Sequence, residues 1–471
     1  MRGSHWRAAS RLTLILIRRP VGTPGGDDMR AMLACSAREL QRRLACPMML
    51  MVLPLAGNAQ EADFVAVLAE TVIDGTGAKP LSPGVVVVDG ERIIAVGDKS
   101  IVPPEAQLLD LGNVTLLPGL IDLHSHLTDK VGVHWEEVLV TTTPGQAALY
   151  GAVNALTTLR SGFTTVRDLG PTWPYTDVDL RDVIVAGGLP GPRMQVAGNY
   201  VSATGGAGDA QQFSIYVDVP TVRNLADGVD AVRSVVRTNF KHGADFVKIL
   251  ATGAVLSHGI PPGAQQYSDE ELAVAVEEAE RWGRFVAAHA HGAGGIKAAI
   301  RAGVRTIDHG SMLDDEGLRM LKASDQTFYV PTLYVGAVVV AEGADLGIPP
   351  AEIERSRRMT EFRNRSFRRA LEAGLTIGFG TDAGVFPHGH NAREFKIRVD
   401  NGENPMQSIV SATSVAAMIM GWEEQVGSLE AGKFADMIAV SGNPLEDITL
   451  LERVRWVMKG GQVFRDDLSP R

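Results

Sequence analysis

The chain of 471 residues contains only two cysteines, Cys35 and Cys46, and both lie before residue 60. Beyond that point, disulfide bonds, cysteine-ligated zinc and thiolate nucleophiles are excluded. Aromatic residues make up only 6% of the chain, and no basic run accompanies the formal net charge of -10. Because a nucleic-acid-binding surface is normally basic, we expect no nucleic-acid partner. Hydrophobic residues still make up 45%, enough for a large folded core.

After residue 59 no stretch of 18 apolar residues occurs, so the sequence predicts no transmembrane helix there. Residues 1–59 are rich in arginine and poor in acids, and Arg42-Arg43 precede an apolar run over 44–56. Small residues then lead to Ala59, as in a secretory signal. We expect cleavage of this leader, export to the periplasm or beyond, and no stable membrane association afterwards. A buried N-terminal helix is the alternative. The sequence leaves the start open among Met1, Met29 and Met32.

Short β-rich regions lie at both ends of the remaining chain, at residues 60–114 and 423–471. Turn signals such as Asp89-Gly90 separate the strand candidates within them. Neither region is long enough to form a stable sheet alone. We therefore predict one small composite β-sandwich domain built from both ends, with a central domain inserted in it. The strand candidates are Phe64–Leu68, Gly84–Val88, Arg92–Val96, Asp436–Val440, Val454–Lys459 and Gln462–Phe464.

The middle of the chain, residues 115–422, alternates apolar strand-like runs with amphipathic helical patterns. Ser268 and the acids after it open one helix, and Gly303 closes the next. Eight strands alternating with helices over roughly 300 residues predict an α/β fold of the (β/α)8 TIM barrel type. An open doubly wound sheet is the alternative. The runs are Thr115–His124, Thr164–Leu169, Arg193–Ala197, Phe246–Leu250, Phe285–His289, Arg305–His309, Phe328–Thr332 and Thr376–Gly380.

Several of these runs end in metal-ligating side chains. The first ends in His124-Ser125-His126, the fifth and sixth end in His289 and His309, and Asp382 follows the eighth. The carboxyl ends of barrel strands form one mouth, and residues i and i+2 of a strand point to the same face. We therefore predict that these side chains converge on a metal site.

Lys248 is a further anomaly, because it lies between Val247 and Ile249 in a predicted interior strand. A charged ammonium is costly there unless it reaches solvent or pairs with a carboxylate. Near a metal site, a desolvated lysine with a lowered pKa becomes a candidate bridge.

The chain resembles the amidohydrolase superfamily over essentially its whole length after the leader. The resemblance rests on the opening segment 117–126, the closing segment 427–436 and the ligand positions between them. It implies a binuclear centre of two divalent ions, usually zinc. His124, His126 and Asp382 would hold one ion, and His289 and His309 would hold the other. Lys248, carboxylated by CO2 to N6-carboxylysine, would bridge the two ions.

The implied reaction is attack on a carbonyl by a hydroxide that bridges the two metals, because cations lower the pKa of bound water. Asp382 is the expected catalytic residue, accepting the proton and delivering it to the leaving nitrogen.

Within the superfamily the chain is similar to the imidazolonepropionase-like group, which includes Xaa-Pro dipeptidases, related carboxypeptidases and ochratoxin-hydrolysing amidohydrolases. This implies a small-molecule amide or dipeptide whose leaving group is an amino acid with a free carboxylate. We also expect a homo-oligomer. Candidate substrate contacts in the loops, for each of which a solvated loop residue is the alternative, are Tyr200, His258, Tyr267, His388, His390 and Arg393. His291 lies two residues after His289, so its side chain is expected on the same face, and it is a further candidate substrate contact.

Three other functions remain to be weighed. A mononuclear deaminase would not use Lys248 and would require a glutamate shortly after His289, where Ala290-His291 stand instead. A cyclic-amide or lactone hydrolase would keep the same metal ligands. A noncatalytic binding protein is disfavoured, because such proteins need not keep their ligands and this chain retains all of them.

Overall fold

The computed structural model describes residues 64–217, 219 and 224–468. The predicted leader, residues 1–59, lies outside the described residues, and so do Cys35 and Cys46. Among the described helices, none combines the length and apolar character required to cross a membrane.

Strands and helices of the described region are labelled in chain order. The strands are β1 (Phe64–Ala69), β2 (Thr71–Val72), β3 (Gly84–Asp89), β4 (Arg92–Gly97), β5 (Gln107–Asp110), β6 (Thr115–Pro118), β7 (Leu120–Ser125), β8 (Phe163–Asp168), β9 (Arg193–Val196), β10 (Val247–Leu250), β11 (Val286–Ala290), β12 (Thr306–His309), β13 (Phe328–Val330), β14 (Met437–Val440), β15 (Trp456–Lys459) and β16 (Gln462–Asp466). The helices are α1 (Trp135–Thr141), α2 (Pro144–Arg160), α3 (Thr176–Val185), α4 (Val229–Lys241), α5 (Asp269–Arg281), α6 (Ala293–Ala302), α7 (Asp315–Ala323), α8 (Leu333–Glu342), α9 (Pro350–Glu372), α10 (Arg393–Asp400), α11 (Pro405–Ser411) and α12 (Ser414–Met420). Two short 3-10 helices, Lys99–Ile101 and Ile448–Arg453, complete the elements.

Two parallel sheets form the centre, with strand orders β7-β8-β9 and β10-β11-β12-β13. Backbone hydrogen bonds join their edges. On one side the Asp245 amide donates to the Val196 carbonyl (2.8 Å) and the Val201 amide donates to the Lys248 carbonyl (2.7 Å). These parallel strands alternate with helices, as expected for a fold of the TIM barrel type.

The predicted eighth strand, Thr376–Gly380, is extended chain with one isolated bridge at Ile377 rather than a regular strand. It still joins β13 to β7: the Gly378 amide donates to the Tyr329 carbonyl, and the Leu123 amide donates to the Phe379 carbonyl. Glycine weakens a strand, and close packing explains its use here. A Cβ on Gly380 would lie 2.5 Å from a methyl group of Val330.

The predicted first strand, Thr115–His124, is divided in the structure. Its first half is β6, which pairs antiparallel with β14, and its second half is β7, which pairs parallel with β8. Gly119 is the single residue between them. A Cβ there would lie 2.0 Å from Oγ1 of Thr164, so the chain passes between the two sheets where no larger side chain fits.

The remaining strands form two further sheets, ordered β4-β3-β1-β5 and β16-β15-β14-β6-β2. The second contains strands from both ends of the described region. One hydrophobic cluster joins the two sheets and includes Val86, Leu116, Met437 and the fully buried Trp456. The domain limits at residues 114 and 422 stay a prediction.

Local signals place the helices well. Ser268 and Glu271 form a capping box at the start of α5, and Gly303 ends α6 with φ of 88°. Both helices bury apolar faces in the largest core cluster, against β10, β11 and β12. This packing holds the strand ends in place at the site.

Gly119→Ala should destabilise the chain by about 1–3 kcal/mol, because the added methyl group overpacks the contact with Thr164. Chemical denaturation measures the change in the free energy of unfolding. Gly145→Ala is the matched control, because its Cβ meets nothing closer than 4.0 Å in α2. Equal unfolding free energies for the two variants would contradict this account of the passage between sheets.

Candidate metal centre

The predicted ligands at the carboxyl ends of the parallel strands line one cavity. His124 is in β7 and His126 follows that strand, while His289 is in β11 and His309 ends β12. Asp382 follows the extended eighth segment. Because parallel strands bring their carboxyl ends to the same edge, five positions from distant parts of the sequence meet here.

The first group of ligands consists of His124, His126 and Asp382. Oδ1 of Asp382 lies 3.3 Å from Nε2 of His124 and 3.4 Å from Nε2 of His126. Nδ1 of His126 donates to the Gly170 carbonyl (2.7 Å), which orients the ring and leaves Nε2 toward the cavity. Burial opposes protonation of His126, but the contact with Asp382 outweighs it and raises the pKa to about 9. The Asp382 carboxylate therefore stabilises a positively charged group next to it.

The second group consists of His289, His291 and His309. Nδ1 of His309 lies 2.8 Å from Oγ1 of Thr332, and Nδ1 of His291 lies 2.8 Å from Oγ of Ser311, which leaves both Nε2 atoms for other partners. Burial lowers the pKa of His289 to about 3 and also lowers the pKa values of His291 and His309. Neutral imidazole is the form that binds metals.

Lys248 lies on β10 and lines the same cavity as both groups. Its side chain is buried, and Nζ donates to Oδ2 of Asp308 at 2.8 Å. Nη2 of Arg167 lies 3.3 Å from the other oxygen of that carboxylate. Burial lowers the pKa of Lys248, and Asp308 partly offsets this effect.

Three residues around the site have left-handed backbone angles without being glycine: His309 (φ 69°), Thr332 (φ 47°) and Asp382 (φ 67°). Such conformations are costly and persist only where the surroundings determine them. Here they turn the chain at strand ends: the side chains of His309 and Asp382 line the cavity, and the hydroxyl of Thr332 contacts His309. Sequence patterns did not indicate this feature.

Asp122 is a supporting residue that sequence reasoning did not single out. Its carboxylate accepts hydrogen bonds from the hydroxyl and amide of Thr381 (2.5 and 3.1 Å), from Asn391 (2.8 Å) and from the His124 amide (3.0 Å). Burial raises its pKa to about 6, although these bonds act in the opposite direction. The network fixes the segment that carries Asp382 against β7. Its position two residues before His124 was the available signal.

Arg363 of α9 was also missed. It is buried, lines the cavity and donates to the Thr332 carbonyl (3.0 Å) and to Oγ of Ser311 (3.3 Å). Burial lowers its pKa. Met359 and Phe367, one helical turn to either side, are also buried, so the spacing of the apolar residues was the signal for an inward-facing arginine.

The predicted substrate contacts in the loops divide into two sets. Tyr200 lines the cavity, and burial raises its pKa. His258 lies 3.2 Å from Glu136 and 3.7 Å from Glu352, beside two carboxylates rather than beside a cationic pocket for an anion.

His258 and the other four predicted contacts are not among the residues that line the cavity. Tyr267 packs in the largest core cluster, and His390 is exposed. His388 is buried against Thr158 and the His126 carbonyl, and Arg393 donates to the hydroxyl of Tyr334 at 2.8 Å. Their neighbours come from distant segments, so sequence position alone did not predict these contacts.

The donor set fits divalent cations. Imidazole nitrogen and carboxylate oxygen are suitable ligands for zinc and related ions. Nδ1 of His124 is buried without a hydrogen bond in the described region, and burial lowers the pKa of His124 to about 4, which favours its neutral form. Without a cation these groups would leave polar atoms unsatisfied in a buried cavity.

Residues 115–464 match the amidohydrolase family. The chain is 31% identical to ochratoxinase of Aspergillus niger over 431 residues, which cover 87% of this chain and 88% of that protein. A solved structure described as an Xaa-Pro dipeptidase with bound methionine superposes with a TM-score of 0.80 at 36% identity, covering 86% of this chain and all of that one. A solved prolidase complexed with N-methylphosphonate-L-proline has the same TM-score and coverage at 32% identity.

The fold, the two ligand groups and these matches define a hydrolase with a mixed α/β fold of the TIM barrel type. The chain belongs to the amidohydrolase family. A binuclear metal centre is typical of that family, and the predicted resemblance to dipeptidases and ochratoxinase is confirmed.

Asp122→Ala should lower the free energy of unfolding by about 1–3 kcal/mol, because it leaves buried donors unsatisfied. It should also reduce the bound metal, since Asp382 loses its support. Denaturation and metal analysis measure the two effects. The double variant Asp122→Ala/Thr381→Ala should lose less free energy of unfolding than the sum of the losses in the two single variants, because both partners of the 2.5 Å hydrogen bond are then absent. If the losses in free energy of unfolding were additive, Asp122 would not be the residue that supports the segment carrying Asp382.

Proposed function

We propose that the chain hydrolyses an amide or peptide bond to a C-terminal amino acid, in an N-acyl amino acid, a dipeptide or an ochratoxin-like amide. The observation that carries this proposal is the pair of candidate ligand groups in one cavity that Lys248 also lines. Relatives described as ochratoxinase, Xaa-Pro dipeptidase and prolidase support the substrate class. Backbone hydrogen bonds between the two parallel sheets support a single closed barrel around the site, carried on a composite β-domain.

In this proposal His124, His126 and Asp382 hold one divalent ion, most suitably zinc, and His289 and His309 hold the second. When bound, the two cations supply the charge that polarises a carbonyl and lowers the pKa of water. Lys248, as N6-carboxylysine, would supply a carboxylate to the two ions. Burial favours its neutral amine, which adds to the carbon of CO2 and releases a proton to give a carbamate.

Asp382 acts as general base and then as general acid. Its side chain is 15% exposed, so it reaches the cavity, while the two histidines beside it lower its pKa despite burial and keep it ionised. An ionised carboxylate in this position accepts a proton from water and delivers it to the leaving nitrogen. His291 faces the same cavity and is positioned to contact the substrate.

The walls of the cavity support recognition of an amino acid. Lys130 and Arg363 line it and carry positive charge that would attract the free carboxylate of the leaving group. Helix α8 and the segment after it add an apolar wall that would receive an apolar or aromatic side chain. Its residues are Val335, Val339, Leu346 and Ile348.

Amidation of the substrate carboxylate should reduce kcat/KM about 10–100-fold, the effect of losing a charge-assisted hydrogen bond. The measurement compares N-acyl-phenylalanine with its amide, using enzyme of defined metal content. Equal rates would contradict recognition of the free acid. Activity confined to cyclic amides or lactones would favour the alternative hydrolase function.

Lys248→Ala should lose activity and much of the bound metal, because an alanine cannot form the carbamate bridge. Propionate should restore part of both by placing a carboxylate in the vacated position. Lys459→Ala is a matched control, since Lys459 is a partly buried strand lysine in another sheet, hydrogen-bonded to the Gly191 carbonyl. If the Lys248→Ala variant kept full metal content and full turnover, Lys248 would only contribute to packing and would have no role in metal binding.

A further inference from the structure

A second cluster of histidines and carboxylates lies at the wall of the same cavity and shares no residue with the metal centre. His134 and Glu136 are at the start of α1, His258 is in the loop after β10, and Glu352 is in the first turn of α9. His134 and Glu352 line the cavity. The described structure thus brings together potential ligands from three separate segments.

The spacing in this cluster is that of metal ligands. Nδ1 of His258 lies 3.2 Å from Oε1 of Glu136, within hydrogen-bond distance, and Nε2 of His134 lies 3.3 Å from Oε2 of Glu352. The separation of His258 from Glu136 is close to the 3.3 and 3.4 Å between Asp382 and its two histidines in the candidate metal centre. Ligand atoms at about 2.0–2.2 Å from a tetrahedral zinc ion would lie roughly 3.3–3.5 Å apart.

Burial without hydrogen bonds is the second, independent observation. His134 is 8% exposed and Glu352 is 1% exposed, yet neither ring nitrogen of His134 and neither carboxylate oxygen of Glu352 has a hydrogen bond among the described residues. Arg355 approaches Glu352 only to 3.4 Å. Leaving four such atoms unsatisfied is costly. A cation bound by one nitrogen of His134 would reduce that cost, because it orients the ring so that the other nitrogen donates its N–H to Glu352.

We propose that His134, Glu136 and His258 bind a third divalent transition-metal ion, one ligand atom from each, with Glu352 as the carboxylate that accepts an N–H of the imidazoles. These three residues can bring their ligand atoms within 4.8 Å of one another. The Gln212 amide donates to the second oxygen of Glu136 at 2.8 Å and orients it. The ion braces α1 against the loop after β10 at the cavity wall.

The test is the metal stoichiometry of the purified full-length protein, dialysed against excess Zn2+ and analysed by mass spectrometry. Wild-type protein should bind one more zinc ion per chain than His258→Ala or Glu136→Gln. His258 is 37% exposed, so its replacement leaves the core intact. His242→Ala is the matched control, because His242 is exposed and its ring contacts that of Tyr175 rather than the cluster, and it should keep the wild-type stoichiometry.

A crystal of the zinc-loaded wild-type protein provides a measurement that does not depend on the folding of any variant. An anomalous difference peak bounded by His134, Glu136 and His258 is expected in addition to the peaks at the metal centre. Equal zinc content in wild type, His258→Ala and Glu136→Gln, or the lack of a peak at this cluster, would overturn the proposal.

Discussion

Compensation of buried charge at Asp308 is the constraint on which the centre of the molecule depends. Its carboxylate, fully buried on β12, accepts hydrogen bonds from Lys248 of β10 and Arg167 of β8 and faces His124 of β7. An unpaired buried carboxylate would cost several kcal/mol. The parallel strands can therefore carry ionisable groups inside only in the arrangement that brings these partners together, and the same arrangement places the metal ligands.

The cavity combines two environments that serve different purposes. Its floor holds histidines, carboxylates and Lys248, whereas the wall formed by α8 is apolar. An apolar wall strengthens electrostatic interactions on the floor because it excludes water. The histidines of the second ligand group stay neutral for the same reason, since burial lowers their pKa values. One packing arrangement thus provides both the candidate cation-binding groups and the exclusion of solvent.

Much of the fold and of the site could be predicted because the signals are local. Strand ends followed by histidine, the capping box at Ser268 and the C-cap at Gly303 each lie within a few residues. Other features depend on residues far apart in the sequence. Only its spacing from Met359 and Phe367 distinguishes Arg363 from the other arginines of α9, and its partners Thr332 and Ser311 are remote in sequence. Arg393 donates to the hydroxyl of Tyr334, 59 residues away. The irregular eighth segment depends on how closely β7 and β13 approach it.

The passage through Gly119 has a mechanical consequence. A single residue separates β6, which belongs to the sheet shared by both ends of the described region, from β7, which carries His124 at its other end. With no flexible linker between them, the outer sheet and the ligand-bearing strand transmit displacement to each other. The outer sheet therefore helps to fix the position of the candidate ligands and is not structurally independent of them. An engineered exchange of that sheet between relatives would have to preserve the position of β6 closely to keep the histidines aligned.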